Sequence, residues 1–310
     1  MKVYHSLEEF LPLKHAVVTQ GTFDGVHLGH QKILKQLKAQ AEKEGGETVL
    51  LTFFPHPRMV LQPDDNELKL LETIDEKIAH LEAIGIDHLL ILPFTKAFSR
   101  LSAEEFVRDI LIEGIGTKLM VVGYDHRFGK NREGSFQELQ ELGSVYDFRV
   151  EEITAEDIEA VTISSTKIRQ ALLLGDLATA NLYLGYPYRV QGTVVHGHKR
   201  GKGLGFPTAN IQPGASYKLI PGDGVYAVGA IIGEKKYKGM ANIGSQPTFE
   251  ERQHAFEVHI FDFSQEIYSE DIEVVFHHRL RNELRFDSIE ALRSQLEKDK
   301  FAALDALSGI

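Results

Sequence analysis

Two histidines three residues apart follow a short apolar segment near the start of the chain. The segment Ala16–Gln20 runs into Gly21-Thr-Phe-Asp-Gly-Val-His-Leu-Gly-His30, and a helical pattern follows. At the start of a helix the backbone N–H groups are free and the helix dipole is positive, so phosphate binds well there. His27 and His30 can point to the same place and donate hydrogen bonds to an oxygen on which charge develops. The spacing predicts a phosphate site, and the competing interpretation is a tight turn with His30 on the surface.

A run of hydroxyl residues opens a second predicted helix at Ile163-Ser-Ser-Thr-Lys-Ile-Arg169. Ser164, Ser165 and Thr166 offer hydroxyls and backbone N–H groups to phosphate oxygens. Arg169 lies one turn inside the helix, where it can add a charge-assisted contact to a triphosphate. Taken alone, this pattern also fits an ordinary helix cap with a solvated face of Lys and Arg.

Glycines and cations alternate in a third candidate site, His196-Gly-His-Lys-Arg-Gly-Lys-Gly-Leu-Gly-Phe-Pro-Thr-Ala-Asn210. A flexible, positively charged loop is suited to folding over phosphates. The residues that we expect to contact phosphate there are Gly201, Lys202, Gly203 and Gly205. Thr208 and Asn210 supply neutral oxygens of the kind that can hold Mg²⁺ against a nucleotide. A solvated hairpin loop fits the pattern equally well.

The elements that must position these residues differ between the two halves of the chain. In the first half, short apolar runs without strict alternation lie between helical patterns, which is typical of parallel strands buried on both faces. The predicted strands are 16–20, 48–53, 88–92 and 118–123, and the predicted helices are 29–43, 73–84, 102–114 and 135–142. This order predicts a doubly wound (Rossmann-like) α/β sheet, in which nucleotides often bind after the first strand.

After residue 187 the segments become short, rich in Val, Ile, Tyr and Phe, and broken by Gly and Pro. The predicted strands are 188–195, 224–232, 237–243, 255–261 and 272–279, and a helix is predicted over 288–307. Together they predict a small antiparallel β-barrel with a terminal helix. We place the boundary near 185, which gives one domain of residues 1–185 and a second of residues 186–310.

The composition excludes several classes of protein. The 310 residues include no Cys, which excludes disulfides, Cys-ligated zinc and thiol catalysis. A net charge of −11, with most of the acidic excess in residues 1–185, argues against general affinity for nucleic acid or an acidic membrane. No apolar stretch is long enough to span a bilayer and no secretory signal is visible, so the expected location is the cytoplasm.

The motifs resemble those of two known families. The two N-terminal motifs, with Val122-Gly-Tyr-Asp-His-Arg-Phe-Gly129 between them, resemble the nucleotidyltransferase superfamily that transfers adenylyl groups. The Gly-Phe-Pro-Thr-Ala-Asn motif at 205–210, with its companions at 224–227, 242–248 and 257–262, resembles riboflavin kinase. In order and spacing, residues from about 14 to 305 resemble the bifunctional bacterial riboflavin kinase/FMN adenylyltransferase (FAD synthetase) family.

This resemblance implies roles for individual residues. It implies that His27 and His30 are catalytic in adenylyl transfer and that Glu257 is the catalytic base of the kinase. Mg²⁺ is the implied cofactor, with Thr208 and Asn210 as its ligands. His56, between two prolines, is implied to line the nucleotide pocket. The implied contacts to ATP in the first domain are Gly21, Phe23, Asp24, Gly29, Asp125, Ser164, Ser165, Thr166 and Arg169.

The leading interpretation is one enzyme that phosphorylates riboflavin to FMN and then transfers AMP from ATP to FMN, giving FAD and pyrophosphate. Its expected partners are ATP, riboflavin, FMN and FAD, without nucleic acid or membrane, and a homo-oligomer is compatible with the sequence. Two alternatives are a tRNA-acting enzyme, which the acidity of the first half disfavours, and a non-catalytic flavin-binding protein. The joint presence of His27, His30, Arg169, Asn210 and Glu257 argues against the latter.

Overall fold

The computed structural model describes residues 1–62, 68–123, 127–130, 133–153, 163–197, 203, 205–246 and 253–309. The chain forms two compact units. The first consists of Met1–Leu68 and Ile74–Ile163, and the second of Lys69–Thr73 and Ser164–Ile310. The division by packing therefore falls at Ser164, about one helical hairpin before the boundary that the periodicity predicts.

A parallel sheet forms the centre of the first unit. Within the described residues its strand order is β1-β4-β3-β2-β5-β6. The strands are β1 (Lys2–Tyr4), β2 (Ala16–Gln20), β3 (Glu47–Phe53), β4 (His88–Leu92), β5 (Thr117–Gly123) and β6 (Arg149–Ile153). Because β3 and β5 lie on opposite sides of β2, the strand order reverses at β2, and the crevice at the carboxyl ends of β2 and β5 is where ligands bind in such sheets. The predicted doubly wound sheet is confirmed.

Helices cover both faces of this sheet because its strands are apolar on both sides. Val17 and Leu50 pack in one core and Val18 and Leu51 in the other, since successive side chains of a strand point to opposite faces. The helices of this unit are α1 (Leu28–Glu44), α2 (Pro57–Leu61), α3 (Ile74–Ile84), α4 (Ala103–Glu105) and α5 (Phe136–Tyr146). The helix predicted over 102–114 starts with the capping box of Ser102 and Glu105, but beyond α4 it continues as π-helical turns over Phe106–Ile115.

The second unit contains a closed antiparallel barrel, with the described strands in the order β10-β11-β8-β7-β12-β9. They are β7 (Tyr188–Val195), β8 (Ala209–Pro213), β9 (Gly224–Ile232), β10 (Lys235–Gln246), β11 (Gln253–Ile260) and β12 (Asp271–Arg281). Aromatic rings fill the interior, where Phe276 contacts Tyr226 and Phe256 at ring-centroid distances of 5.5 Å and 5.8 Å. The predicted barrel is confirmed, and β8 is an additional strand.

Among the described residues, the helices that belong with the barrel are α6 (Ser165–Leu173), α7 (Leu177–Leu184) and α8 (Ile289–Ala306). Asn181 of α7 explains why this hairpin joins the second unit, because its amide donates to the carbonyl of Phe276 and accepts from the N–H of Tyr188. The last helix, α8, is fixed by the carboxylate of Asp299, which accepts two hydrogen bonds from Arg281 at 2.9 Å and 2.7 Å. Among the described helices, none combines the length and apolar character that a bilayer crossing requires.

Candidate functional sites

The turn that follows β2 is strained and tightly packed. Phe23, Gly25 and Val26 have φ angles of 45°, 82° and 29°. These values lie in the left-handed region, which residues other than glycine rarely adopt. A strained residue of this kind costs about 1–3 kcal/mol and persists only where its surroundings hold it. Burial holds this turn, because Phe23 is buried and a Cβ at Gly21 would lie 3.0 Å from the Phe23 ring. The predicted contacts Gly21, Phe23 and Asp24 are therefore all part of a rigid turn.

His27 and His30 come together at the start of α1, as the spacing predicts. His27 is the N-cap residue, and its Nδ1 accepts a hydrogen bond from the backbone N–H of His30 at 3.4 Å. The two imidazole rings stack with 3.7 Å between their centroids. Because Nδ1 of His27 accepts, the proton of the neutral ring lies on Nε2, which is the nitrogen that can donate. A Cβ at Gly29 would lie 3.3 Å from the His27 ring, so Gly29 leaves room for the pair.

The environment of His30 keeps its ring neutral. Burial lowers the pKa of His30 well below its usual range because the charged form loses its hydration, and the charges of His27 and Lys77 lower it further. Nδ1 of His30 is buried and has no hydrogen-bond partner among the described residues. Buried polar atoms in proteins are almost always paired, so this ring nitrogen is available to an atom of a ligand.

Four other predicted residues of adenylyl transfer lie at the start of α6. Ser164 caps α6, where its Oγ accepts from the N–H of Lys167 at 3.3 Å. Ser165 and Thr166 form the first turn of that helix, and Arg169 lies one turn further on and is half-buried. By packing, these four residues belong to the second unit, whereas His27 and His30 belong to the first.

The remaining predictions for this site have different outcomes. Asp125 lies outside the described residues. His56 caps α2, and its Nδ1 accepts from the N–H of Arg58 at 3.2 Å. This contact gives His56 a structural role, and its contact with a nucleotide stays a prediction.

The barrel brings Asn210 and Glu257 together. They are direct cross-strand partners on β8 and β11, and Asn242 of β10 is the partner of Glu257 on its other side. Directly opposite residues of an antiparallel pair lie on the same face with Cβ atoms about 5 Å apart. The three side chains are half-buried and form a polar row on the outer face of the barrel, whose inner face holds Phe256 and its aromatic neighbours. Asn242 was not predicted as a site residue. The signal that could have identified it is its place in the segment 242–248, which resembles riboflavin kinase.

Thr208 lies just before β8, and a hydrogen bond to its neighbour Pro207 fixes this segment. The carbonyl of Pro207 accepts a hydrogen bond from Nδ1 of His259 at 2.7 Å. Burial lowers the pKa of His259, the bond to Pro207 opposes this effect, and the nearby charge of Lys300 lowers the pKa further. His259 lies two residues after Glu257 and on the same face of the strand, and this spacing is the signal that could have identified it.

The glycine-rich loop of the kinase motif is only partly described. Gly201 and Lys202 lie outside the described residues. A Cβ at Gly203 or Gly205 would meet no atom of the described residues within 4 Å.

Thr208 and Asn210 fit a magnesium ion that is shared with a substrate better than a metal held by the protein alone. Within the described part of the chain, no group of three or more His, Cys, Asp or Glu residues could hold a metal ion. Mg²⁺ commonly takes one or two protein oxygens and completes its shell with water and the phosphates of the substrate. The oxygen donors near the start of β8 suit that mode of binding.

Comparisons with known proteins divide the chain in the same way as its motifs. A family model described as FAD synthetase matches residues 11–167, and one described as riboflavin kinase matches residues 184–307. A curated bifunctional riboflavin kinase/FMN adenylyltransferase from Listeria monocytogenes is 41% identical over 285 residues, which are 92% of this chain and 90% of the relative. The protein of the same name from Bacillus subtilis is 39% identical over 300 residues, 95% of this chain and 93% of the relative.

One solved structure matches nearly the whole chain. It is a Streptococcus pneumoniae protein described as a macrolide-efflux protein, with a TM-score of 0.89 and 34% identity, and the match covers 97% of this chain and 98% of that one. Its description differs from those of the curated relatives. A shared fold does not distinguish between functions, so the function must be inferred from the residues of the sites.

Proposed function

Because the chain belongs to the family of bifunctional riboflavin kinases/FMN adenylyltransferases, we propose that it converts riboflavin to FAD in two ATP-dependent steps. It is an enzyme of flavin cofactor biosynthesis. The proposal assigns adenylyl transfer to residues 1–185, phosphorylation to residues 186–310 and the enzyme to the cytoplasm. The observation that carries it is that each of the two family matches covers one of the two polar sites, the histidine pair of α1 and the Asn210–Glu257 pair of the barrel.

In adenylyl transfer, a phosphate oxygen of FMN attacks the α-phosphorus of ATP and pyrophosphate leaves. The chemistry needs no covalent enzyme intermediate, so the protein acts by positioning and by stabilising the developing negative charge. His27 and His30 do this at the start of α1, where the helix dipole and the free N–H groups add to their hydrogen bonds. Since burial keeps His30 neutral, its ring donates a hydrogen bond from one nitrogen only.

In the kinase step, the 5′-hydroxyl of riboflavin attacks the γ-phosphorus of ATP and ADP leaves. A primary hydroxyl is a poor nucleophile at neutral pH, so a base that accepts its proton as the P–O bond forms accelerates the step. The cross-strand pairing of Glu257 with Asn210, which the proposal assigns to the Mg²⁺ site, supports this role. Thr208 and Asn210 would hold Mg²⁺, which, when bound, neutralises charge on the ATP phosphates.

The test is to mix the pure protein with riboflavin, ATP and Mg²⁺ and to separate the products by chromatography. We expect FMN to appear first and FAD to follow, with pyrophosphate formed in step with FAD. The same reaction with added tRNA distinguishes the tRNA-acting alternative, because tRNA should change neither rate. Binding of riboflavin without ATP consumption would support a flavin-binding protein and would overturn the proposal.

A further inference from the structure

A buried lysine of α3 lies outside every motif of the proposed sites. Lys77 is 6% exposed, although Lys is among the residues that are rarely buried unless paired. It shares the inner face of α3 with Ile74, Ile78 and Leu81, which pack into the core. An apolar side chain would complete that face. A buried ammonium group is costly unless it has a polar partner, so the contacts of Lys77 indicate its role.

The ammonium group of Lys77 is directed at the strained turn after β2. Its Nζ donates a hydrogen bond to the carbonyl oxygen of Thr22 at 2.7 Å. Thr22 lies between Gly21 and Phe23, and its carbonyl also accepts from Oγ1 of Thr52 at 3.4 Å. Lys77 therefore fastens α3 to the turn that carries the histidine pair.

The charge of Lys77 also acts on the His30 ring, whose pKa it lowers. In adenylyl transfer, ATP and the phosphate of FMN bring several negative charges together, and a fixed cation that needs no rearrangement lowers the cost of that approach. His30 does not supply this charge, because burial keeps its ring neutral. Lys32, the next cation after the turn, is exposed.

We propose that Lys77 is a positioning residue of the adenylyl-transfer site, which holds the turn through Thr22 and keeps a fixed positive charge beside the histidine pair. This inference rests on the proposed function of that site. The direction of the pKa shift of His30 supports it, since Lys77 is one of its causes. The titratable groups that act on His30 are His27 of the turn and Lys77 of α3, and Asp24 lies in the same turn.

The first test measures the titration of the His30 ring by NMR in the full chain labelled at histidine, with His30→Gln to assign the signal. Lys77→Gln keeps a hydrogen-bond donor and removes the charge, and Lys77→Arg keeps both. We expect the pKa of His30 to rise in the Gln variant and to stay low in the Arg variant. An unchanged pKa in a folded Lys77→Gln protein overturns the proposal. This readout does not depend on activity, so it separates a failure of the inference from a failure of the proposed function.

The second test compares both activities on one preparation of each variant. We expect Lys77→Gln to lower kcat for adenylylation of supplied FMN by about 10², within the range for a lost electrostatic contribution, and to leave riboflavin phosphorylation unchanged. Lys77→Arg should recover most of the loss. Wild-type adenylylation by Lys77→Gln, or no recovery by a folded Lys77→Arg, contradicts the proposal.

Lys38 offers a matched control. Its Nζ also donates to a backbone carbonyl, that of Ile84 at 2.6 Å, but the bond is exposed and lies at the other end of α3. Lys38→Gln should leave both activities unchanged. Thermal melting of each variant identifies any loss of folding, and if Lys77→Gln does not fold, Lys77→Met takes its place because Met suits the apolar face of α3.

Discussion

The imidazole of His30 gains its chemistry from its surroundings. An exposed histidine would carry a partial charge near neutral pH, but burial against Phe23 and the stacked His27 ring disfavours the charged form. The sequence predicts that two histidines meet at a helix start, since this needs only their spacing. It does not predict which protonation state they adopt, because that depends on side chains such as Lys77 that are distant in sequence.

The lowered pKa of His30 predicts that the stability of the protein depends on pH. Because the pKa of His30 is lower in the folded protein than in the unfolded chain, the unfolded chain binds the additional proton as pH falls below about 6.5. The free energy of unfolding should therefore fall between pH 7.5 and 5.5, with a contribution from His30 of at most about 1.4 kcal/mol per pH unit. Urea denaturation at the two pH values measures it.

His30→Gln is the control for this measurement. Lowered pKa values of His259 and His277 act in the same direction, so the variant should keep part of the pH dependence and lose the share that belongs to His30. The same slope for both proteins would show that His30 does not titrate differently on unfolding.

Glu257→Gln tests the kinase base while keeping the shape of the side chain. We expect riboflavin phosphorylation to fall by about 10² or more, within the usual range for a lost general base, and adenylylation of supplied FMN to continue. Glu273→Gln is the matched control, because Glu273 is also on a barrel strand but lies on β12, which pairs with β7 and β9. A wild-type rate of phosphorylation in Glu257→Gln would remove this residue from the mechanism.

At the scale of elements, apolar content decides what the sequence can predict. The predicted strands over 48–53 and 118–123 agree within one residue with β3 and β5, because continuous apolar runs mark them. In β8, only Ile211 is buried, and Asn210 and Gln212 on either side of it are polar. No run of apolar residues therefore marks this strand in the sequence. The strand is formed by pairing with β7 and β11, which are distant in sequence, so the motif at 205–210 could be identified without its strand.

His259 links β11 to the segment that leads into β8. We predict that His259→Phe, which keeps the ring packing against Phe206 but breaks the bond to Pro207, raises the Mg²⁺ concentration for half-maximal phosphorylation by roughly 10-fold. Loss of a residue that orients metal ligands typically has an effect of about 10–100-fold. The measurement is the phosphorylation rate against Mg²⁺ concentration.

The control for His259→Phe is His278→Phe, because His278 is also a barrel histidine but lies on β12, which pairs with β7 and β9. An unchanged Mg²⁺ dependence in His259→Phe would show that Pro207 is held without this bond.

At the scale of the whole molecule, each of the two units is made of two segments that are separate in the sequence. The hairpin of α6 and α7 packs with the barrel, although its sequence continues the helical pattern of the first half. Contacts with residues about a hundred positions away determine this, such as the bond of Asn181 to Phe276. Periodicity describes single elements, so it could predict the two folds but not which of them receives a connecting helix.

We predict that residues 164–310 form a more stable fragment than residues 186–310. The shorter fragment loses both bonds of Asn181 and the bond from the N–H of Gly222 to the carbonyl of Leu172 at 2.9 Å. At about 1 kcal/mol for each hydrogen bond, the difference should be roughly 3 kcal/mol in urea denaturation. Riboflavin phosphorylation by each fragment is measured beside it, and equal stability would show that the hairpin is not part of the folded unit.

The segment Lys69–Thr73 has a consequence for synthesis on the ribosome. Leu70 exchanges backbone hydrogen bonds with Tyr217 at 2.7 Å and Leu219 at 2.8 Å, and Nζ of Lys218 donates to the carbonyl of Leu71. These partners leave the ribosome 147 residues later than the segment that they bind, which at about 5–20 residues per second is a delay of roughly 7–30 seconds. The nascent chain must therefore keep this segment available while Ile74–Ile163 is made, and the second unit reaches its full set of contacts only late in translation.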